Sequence, residues 1–288
     1  MSVAGPSATN VPRNRRSMLS RTIFNLRRWS RAVISMSRPG RHKWQPIWAR
    51  PSHLLIGAAF AIAALAVAML LLDQMAITHQ RQLPRWVIVT FETTGELGRS
   101  AWLLVPAAMA LLLLAAIASP ALGRTAHLVL VAAAVRVGFV FIAVGLPGLI
   151  VAVVKRMIGR ERPYGMETGG PFNFSPFKWD VDYASLPSGH GTTAFAAAVA
   201  FGALYPRWRT PLWSLAVLVA VSRVAVSAHY PSDVLAGAVA GALGAFAVRN
   251  WFAALRLGFV VAPDGSVKPL PGPSFRRLKA ALARAGSR

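Results

Sequence analysis

There is no cysteine anywhere in the 288 residues, which excludes disulfides, thiolate metal ligands and a cysteine nucleophile. Acids are scarce as well. Nine Asp and Glu stand against 32 Lys and Arg, a formal net charge of +23. Such an excess suits nucleic acid or an anionic membrane, and its placement along the chain argues for the membrane. What the chain has in quantity is apolar sequence: 55% hydrophobic residues and a mean hydropathy of +0.49. Several runs approach the ~20 apolar residues that cross hydrocarbon. A chain of this kind builds no single water-soluble core; its helices pack on one another in lipid. The expected fold is therefore all-α, an integral membrane bundle of six transmembrane helices, with no nucleic-acid partner.

Three regions follow from the hydropathy pattern. Residues 1–53 hold eleven Lys or Arg and no acid. Within them Met18–Met36 interleaves Phe24, Leu26, Trp29, Val33 and Ile34 with Arg21, Arg27, Arg28 and Arg31. That pattern fits a basic amphipathic helix on an anionic surface, an organellar transit peptide or a disordered basic tail. No apolar core near the start suggests a cleavable signal peptide. Residues 54–252 carry the six spans: Leu54–Leu72, Ala101–Ala118, Val137–Val154, Thr192–Leu204, Leu212–Ala228 and Val234–Phe252. Arg136 precedes the third span as a residue snorkelling to the interface, and Gly145, Pro147 and Gly148 predict a kink in it. Residues 253–288 form a basic, loop-like tail with a short terminal helix.

Charge asymmetry orients the bundle. An even number of spans puts both termini on one side, which collects 22 Lys/Arg and the single acid Asp264; the other side collects nine Lys/Arg and eight acids, with Arg136 the one base left out. The positive-inside rule then places both termini in the cytoplasm and the 73–100, 155–191 and 229–232 segments outside.

Three polar clusters interrupt the apolar background, all on that outer side. In the first, Lys155 and Arg162 share a helical face, and Pro163 disfavours further helix. Arg160 falls off that face. In the second, Pro187-Ser188-Gly189-His190 opens a helix whose free N–H groups suit an anion, with Ser188 as its cap or as a ligand. The third joins Ser222-Arg223 to His229-Tyr230-Pro231-Ser232-Asp233. Arg223 lies late in an apolar span, where a charge needs a polar cavity or an anion. Pro231 points to a turn between spans, with Ser232 or Asp233 capping the sixth. In that turn Asp233 can accept a hydrogen bond from one ring nitrogen of His229 and leave the other free to attack. Ser222 packs or binds; the spacing does not decide. Three bases, two histidines and one carboxylate suit phosphoryl transfer through a phosphohistidine, with His190 as acid and then base. Nothing resembles the carboxylate cages that hold magnesium or paired metals, so neither a metal nor any other cofactor is expected.

Lys155 with six residues before Arg162-Pro163, then Pro187-Ser188-Gly189-His190, then Ser222-Arg223 with five residues before His229 and three more before Asp233, resembles the full signature of the type 2 phosphatidic acid phosphatase superfamily. The resemblance covers about residues 54–252 and leaves both basic tails unmatched. It implies a helical bundle with an outward-facing phosphate site, His229 as nucleophile, Asp233 as its partner and His190 as general acid. Lys155, Arg162, Ser188, Gly189 and Arg223 would bind phosphate.

Similar enzymes act on phosphatidate, phosphatidylglycerol phosphate, polyprenyl diphosphates, sphingoid phosphates or lipid A, so the resemblance alone does not name the lipid. Residues 164–186 are the most individual part of the site. Phe172, Phe174 and Trp179 are the candidate substrate-loop residues, with Gly169 and Gly170 as a hinge. Two other classes compete with a lipid phosphatase: a vanadate-dependent haloperoxidase, which uses a similar motif set, and a non-catalytic phospholipid-binding or transport protein. The expected setting is a bacterial inner membrane with the site facing the periplasm.

Overall fold

A computed structural model describes residues 17–36, 51–80, 83–118, 122–165 and 170–286. Its helices are α1 (Met18–Met36), α2 (Pro51–Val67), α3 (Asp73–Gln80), α4 (Arg85–Glu96), α5 (Ala101–Ile117), α6 (Arg124–Ile158), α7 (Gly189–Leu204), α8 (Arg209–Ala225), α9 (Pro231–Ala254) and α10 (Phe275–Gly286). A π-helical segment, Ala68–Leu72, joins α2 to α3.

Small residues set the architecture. The sequence of α7 is mostly Gly, Ala and Thr, so α6, α8 and α9 all pack directly against it. With no large side chains to hold the backbones apart, van der Waals packing of this kind drives association in lipid. The closest approach is to α9, where a Cβ on Gly237 or Gly241 would overlap the Ser188 or Thr192 carbonyl. Below this contact Phe139 of α6 meets Phe252 of α9 edge-on at 5.3 Å.

Four helical stretches are long and apolar enough to cross a membrane among the described residues: Leu55–Ala76, Arg85–Ile117, Arg124–Ile158 and Pro231–Ala254. They contain the expected third and sixth spans, and all but the first residue of the first and the last residue of the second. The other two fall on α7 and α8, helices of 16 and 17 residues. At 1.5 Å per residue α7 is only about 24 Å long. A helix sheathed by three others does not have to match the hydrocarbon thickness itself. Exposed Leu55, Ile56, Phe60, Leu112, Leu149 and Val217 give the outer helices apolar faces, as an integral membrane protein requires.

Three expectations change. The third span begins far earlier, because α6 runs unbroken from Arg124 through Pro147 to Ile158, about 52 Å. Arg136 is thus inside a helix, and it does more than snorkel: it donates to the Leu270 carbonyl of the tail at 2.6 Å and to Ala132 at 3.0 Å. The 73–100 segment is not a loop but holds α3 and α4. Nor is the fold purely helical, since Phe259–Val261 and Val267–Pro269 form an antiparallel hairpin in the tail expected to be loop-like. Its turn is Ala262-Pro263-Asp264-Gly265, where Gly265 takes φ 78° and donates to Ala262 O at 2.9 Å. Pro pre-sets the first turn dihedral and Gly supplies the positive φ. Phe259 then packs on Phe139 at 4.7 Å.

Of the N-terminal segment, Met18–Met36 is the described helix, and residues 1–16 and 37–50 lie outside the described residues. Helix α1 packs on the end of α5, with buried Asn25 donating to the Ala115 and Ala118 carbonyls at 2.9 and 2.7 Å. Trp29 joins the cluster of Leu114, Leu122, Ala126 and Leu130, as do Leu278 and Ala281 of α10.

Candidate active site

The three polar clusters meet where α6 ends and α7 and α9 begin. Lys155 stands in the last turn of α6. Gly159 ends that helix with φ 63°, and a Cβ there would overlap the Ser175 carbonyl, so only glycine fits this turn. Ser175 N donates back to Gly159 O at 2.7 Å. The chain beyond is pinned to the 171–185 loop: Glu161 N to Asn173 O, Arg162 N to Asp182 O and Ser185 N to Arg160 O span 2.8–3.1 Å. The backbone of this cluster is thereby fixed by the loop that follows it.

Ser188 caps α7, its Oγ accepting the Gly191 N–H at 3.3 Å. Its own N–H donates to the Asp233 carbonyl at 2.9 Å, which ties the second cluster to the third. Gly189 and His190 follow in the first turn. After α8, Ser227 takes φ 56°, and the Ala228 and His229 N–H groups both donate to Arg223 O. This turn carries His229 back beside Arg223. The cap of α9 is Tyr230, with Pro231 in the first turn, so neither Ser232 nor Asp233 is the cap. Asp233 instead reaches back from inside the first turn to accept the Tyr230 N–H at 2.9 Å.

Positive charge concentrates around the two histidines. The charge of Arg162 acts on Lys155, His190, Arg223 and His229, so all five groups share one site. The Nε of Arg223 is buried with no hydrogen-bond partner among the described residues. A buried donor left unmade costs roughly 1–3 kcal/mol, and an anion beside it would remove that cost. Burial pushes His229 below the ordinary imidazole pKa, against the pull of the Asp233 carboxylate. The neutral, nucleophilic ring is the favoured form.

Asp233 does not hold His229 directly. The two lie 3.8 Å apart, Nδ1 to Oδ2, beyond hydrogen-bond reach. Ser185 sits between them, donating to Asp233 Oδ2 at 2.5 Å with its Oγ 3.5 Å from His229 Nδ1. The other carboxylate oxygen accepts from Arg160 Nη1 at 2.6 Å. Arg160, off the expected face and undecided from spacing, is fully buried. Its Nη2 binds Asp73 Oδ2 at 2.7 Å, its Nε and Nη2 bind the Pro171 carbonyl, and its guanidinium stacks 4.1 Å over Tyr230. Asp73 also accepts the Ser232 N–H at 2.9 Å and its hydroxyl at 2.6 Å. Sequence reasoning missed Asp73 and Ser185. Asp73 did leave a signal: it is the first acid in the chain and directly follows an apolar run.

Other candidates fall outside this cluster. Ser222 Oγ donates to Val219 O of its own helix and so packs. Trp179 and Phe172 are 77% and 53% exposed, while Phe174 stacks beside Arg160 at 5.8 Å. Gly170 takes φ 67°; Gly169 lies outside the described residues. The end of α4, unforeseen, lies over the site. A Cβ on Gly95 would overlap Arg223, and one on Gly98 would come within 3.0 Å of His190.

A helix-borne cluster of cations, two histidines and a carboxylate in an apolar bundle defines a membrane protein with an anion site. Residues 134–257 match the model of the PAP2 superfamily. The chain is 42% identical over 127 residues to the lipid A 1-phosphatase of Rhizobium johnstonii, covering 44% of this chain and 52% of the relative. It is 35% identical over 109 residues to the undecaprenyl-diphosphatase of Sulfolobus acidocaldarius, covering 34% and 50%. This chain spans about half the length of these curated relatives. A crystal structure of a PAP2-type phosphatidylglycerolphosphate phosphatase from Bacillus subtilis matches with a TM-score of 0.41 and 19% identity, over 80% of this chain and 95% of that one.

Proposed function

We propose that this protein is a lipid phosphatase of the integral membrane, acting through a phosphohistidine on the 1-phosphate of a lipid A-type substrate. The observation that carries the reading is the convergence of Arg162 and Arg223 on His190 and His229, with Lys155 beside Arg162 and a buried Arg223 donor without a partner among the described residues. The substrate class is favoured by the 42% identity to a protein named for that activity. A polyprenyl diphosphate is the second reading, favoured by the 35% identity to an undecaprenyl-diphosphatase.

In the mechanism, the three cations and the Ser188–Gly189 backbone hold the phosphoryl oxygens and stabilise the charge that builds on them. His229 Nε2 forms the bond to phosphorus as the bond to the leaving oxygen breaks. His190 gives its proton to that oxygen, then takes one from the water that attacks the phosphohistidine. Inorganic phosphate leaves and both rings return to their starting state. A further reading concerns the loop: Phe172, Phe174 and Trp179 flank the cluster at the membrane boundary and select the headgroup. The site faces the periplasm of a bacterial inner membrane, six helices cross it, and the basic ends face the cytoplasm. The charge asymmetry supports that orientation.

The test is inorganic phosphate release by purified protein in detergent, with EDTA throughout. The panel holds lipid A, undecaprenyl diphosphate, phosphatidate and phosphatidylglycerol phosphate. Release from lipid A first, lost in H229A, supports the reading. Equal rates on every lipid would remove the substrate assignment, and release that survives H229A would remove the mechanism.

A further inference from the structure

Arg160 and its two carboxylates form the one fully buried charge cluster joining three separate parts of the described chain. Asp73 comes from the end of the first apolar helix, Arg160 from the segment after α6, and Asp233 from the first turn of α9; all three side chains are 0% exposed. Every charged atom is satisfied. Asp73 accepts three hydrogen bonds, from Ser232 N–H, Ser232 Oγ and Arg160. Asp233 accepts three, from Arg160, Ser185 and Tyr230 N–H. The π-helical segment Ala68–Leu72 ends immediately before Asp73 and packs against α9; such insertions re-aim the residues beside them and recur at functional sites.

The charge count is what makes this cluster more than a brace. One guanidinium faces two carboxylates, so the buried group carries a net charge of −1. Without Asp73, Arg160 would neutralise Asp233, and the carboxylate facing His229 would lose most of its field. With Asp73 present, Arg160 is shared, and a full negative charge remains beside the ring that must become cationic when its Nε2 bonds to phosphorus. The other charged and titratable groups facing His229 are Arg162, Arg223 and His190, all cationic or neutral. Among the described groups acting on His229, Asp233 of the buried cluster is the one anion.

We propose that Asp73 is a positioning residue of the phosphatase reaction: by sharing Arg160 it keeps Asp233 electrostatically available to His229. This rests on the lipid phosphatase reading. A merely structural Asp73 would affect how much protein folds, not how the folded protein turns over.

The experiment compares native protein with D73N, R160Q and the D73N/R160Q double variant, each purified in detergent and checked for monodispersity. The cluster charge is −1 in the native protein, 0 in D73N, −2 in R160Q and −1 again in the double variant. The expected result is a kcat about tenfold or more lower in D73N at unchanged KM, as a charge lost a few ångströms from a reacting group predicts. The double variant should recover part of that loss. A double variant no faster than D73N, or a D73N loss carried by KM, overturns the proposal. If D73N does not insert, the double variant decides alone: at least a tenth of native kcat supports the proposal, and less overturns it. If native protein releases phosphate from no lipid, the enzyme reading fails separately. The charge argument is then read by a ¹⁵N-imidazole titration of His229, whose pKa D73N should lower; no shift overturns it.

Discussion

At one end of the bundle Arg160 is wholly buried, holds two carboxylates and stacks on Tyr230. At the other end the basic residues are more numerous and mostly out in solvent: Arg27, Arg28 and Arg31 on α1, Arg276, Arg277 and Lys279 on α10. The first end has more acids and fewer bases, yet it holds the buried ion pairs and the proposed site of chemistry. Exposed charges in high dielectric are each worth little and act together, as a field that orients the chain on an anionic surface. Buried charges act singly, because each one needs a specific partner. Number of charges therefore bears on the proposed orientation, and burial of charges on the proposed site.

The largest effect should come from breaking the buried side of that contrast. R160M removes the guanidinium between Asp73 and Asp233 and leaves two carboxylates buried without a counter-ion, a loss of about 3–5 kcal/mol. Thermal unfolding in detergent should drop by many degrees, whereas R28Q or K279Q should move it by no more than about 0.5 kcal/mol. An R160M midpoint close to native would mean that the network is not held as its distances imply. Next comes Arg223, a buried-end cation whose Nε has no partner among the described residues. R223Q should cut kcat/KM by roughly a hundredfold or more, as loss of a transition-state donor does. Its unfolding midpoint should be unchanged or higher, since an unmet buried donor goes with it. A stability loss with activity kept would reverse the assignment.

These contrasts also explain what could be read beforehand. The three clusters were legible because each is local, Lys155 near Arg162, Ser188 near His190 and His229 near Asp233 in the chain; the helical face expected to join Lys155 to Arg162 does not form, because α6 ends at Gly159 before Arg162 is reached. The apolar runs marked four long helices for the same reason. What stayed hidden is long-range or masked by composition. Asp73 and Arg160 are 87 residues apart, and a carboxylate at the end of an apolar run reads as the start of a loop. Arg160 was set aside because on a continued helix its face would differ from that of Lys155, but α6 ends at Gly159, and beyond that turn Arg160 reaches inward to Asp233. Helix α4 escaped notice because Glu92, Glu96 and Arg85 make the segment look like a polar connection. The hairpin in the tail was signalled by Pro263-Asp264-Gly265, but the basic residues around it drew the reading toward loop. Six spans were expected from hydropathy alone, which cannot tell a lipid-facing helix from a short one sheathed by its neighbours.

A smaller, sharper test concerns the lid of the buried end. Gly98 lets the end of α4 lie on His190, and a Cβ there would come within 3.0 Å of His190 and 2.8 Å of Val219. G98V must push α4 or the imidazole aside. A displacement of this size in the proposed proton donor should lower kcat about tenfold or more, with little change in midpoint. If G98V raised KM alone, α4 would be controlling entry rather than seating His190.

The smallest effect expected is a pH dependence of stability confined to the buried end. Burial lowers the His229 pKa in the folded protein, while in the unfolded chain the ring titrates near its ordinary value of about 6.5. Between those two values the unfolded state binds the proton and the folded state does not, so stability must rise with pH there. His229's contribution is full above about 6.5 and is lost as pH falls toward the folded value, at no more than about 1.4 kcal/mol per pH unit. Midpoints measured from pH 7.5 down to pH 5 should therefore fall, and H229Q should flatten the part of that slope it carries. The exposed arginines of α1 and α10 stay protonated throughout, so glutamine substitutions there should leave the slope as it is. A slope that survives H229Q unchanged would place the titrating group elsewhere, and with it the source of the buried end's sensitivity to acid.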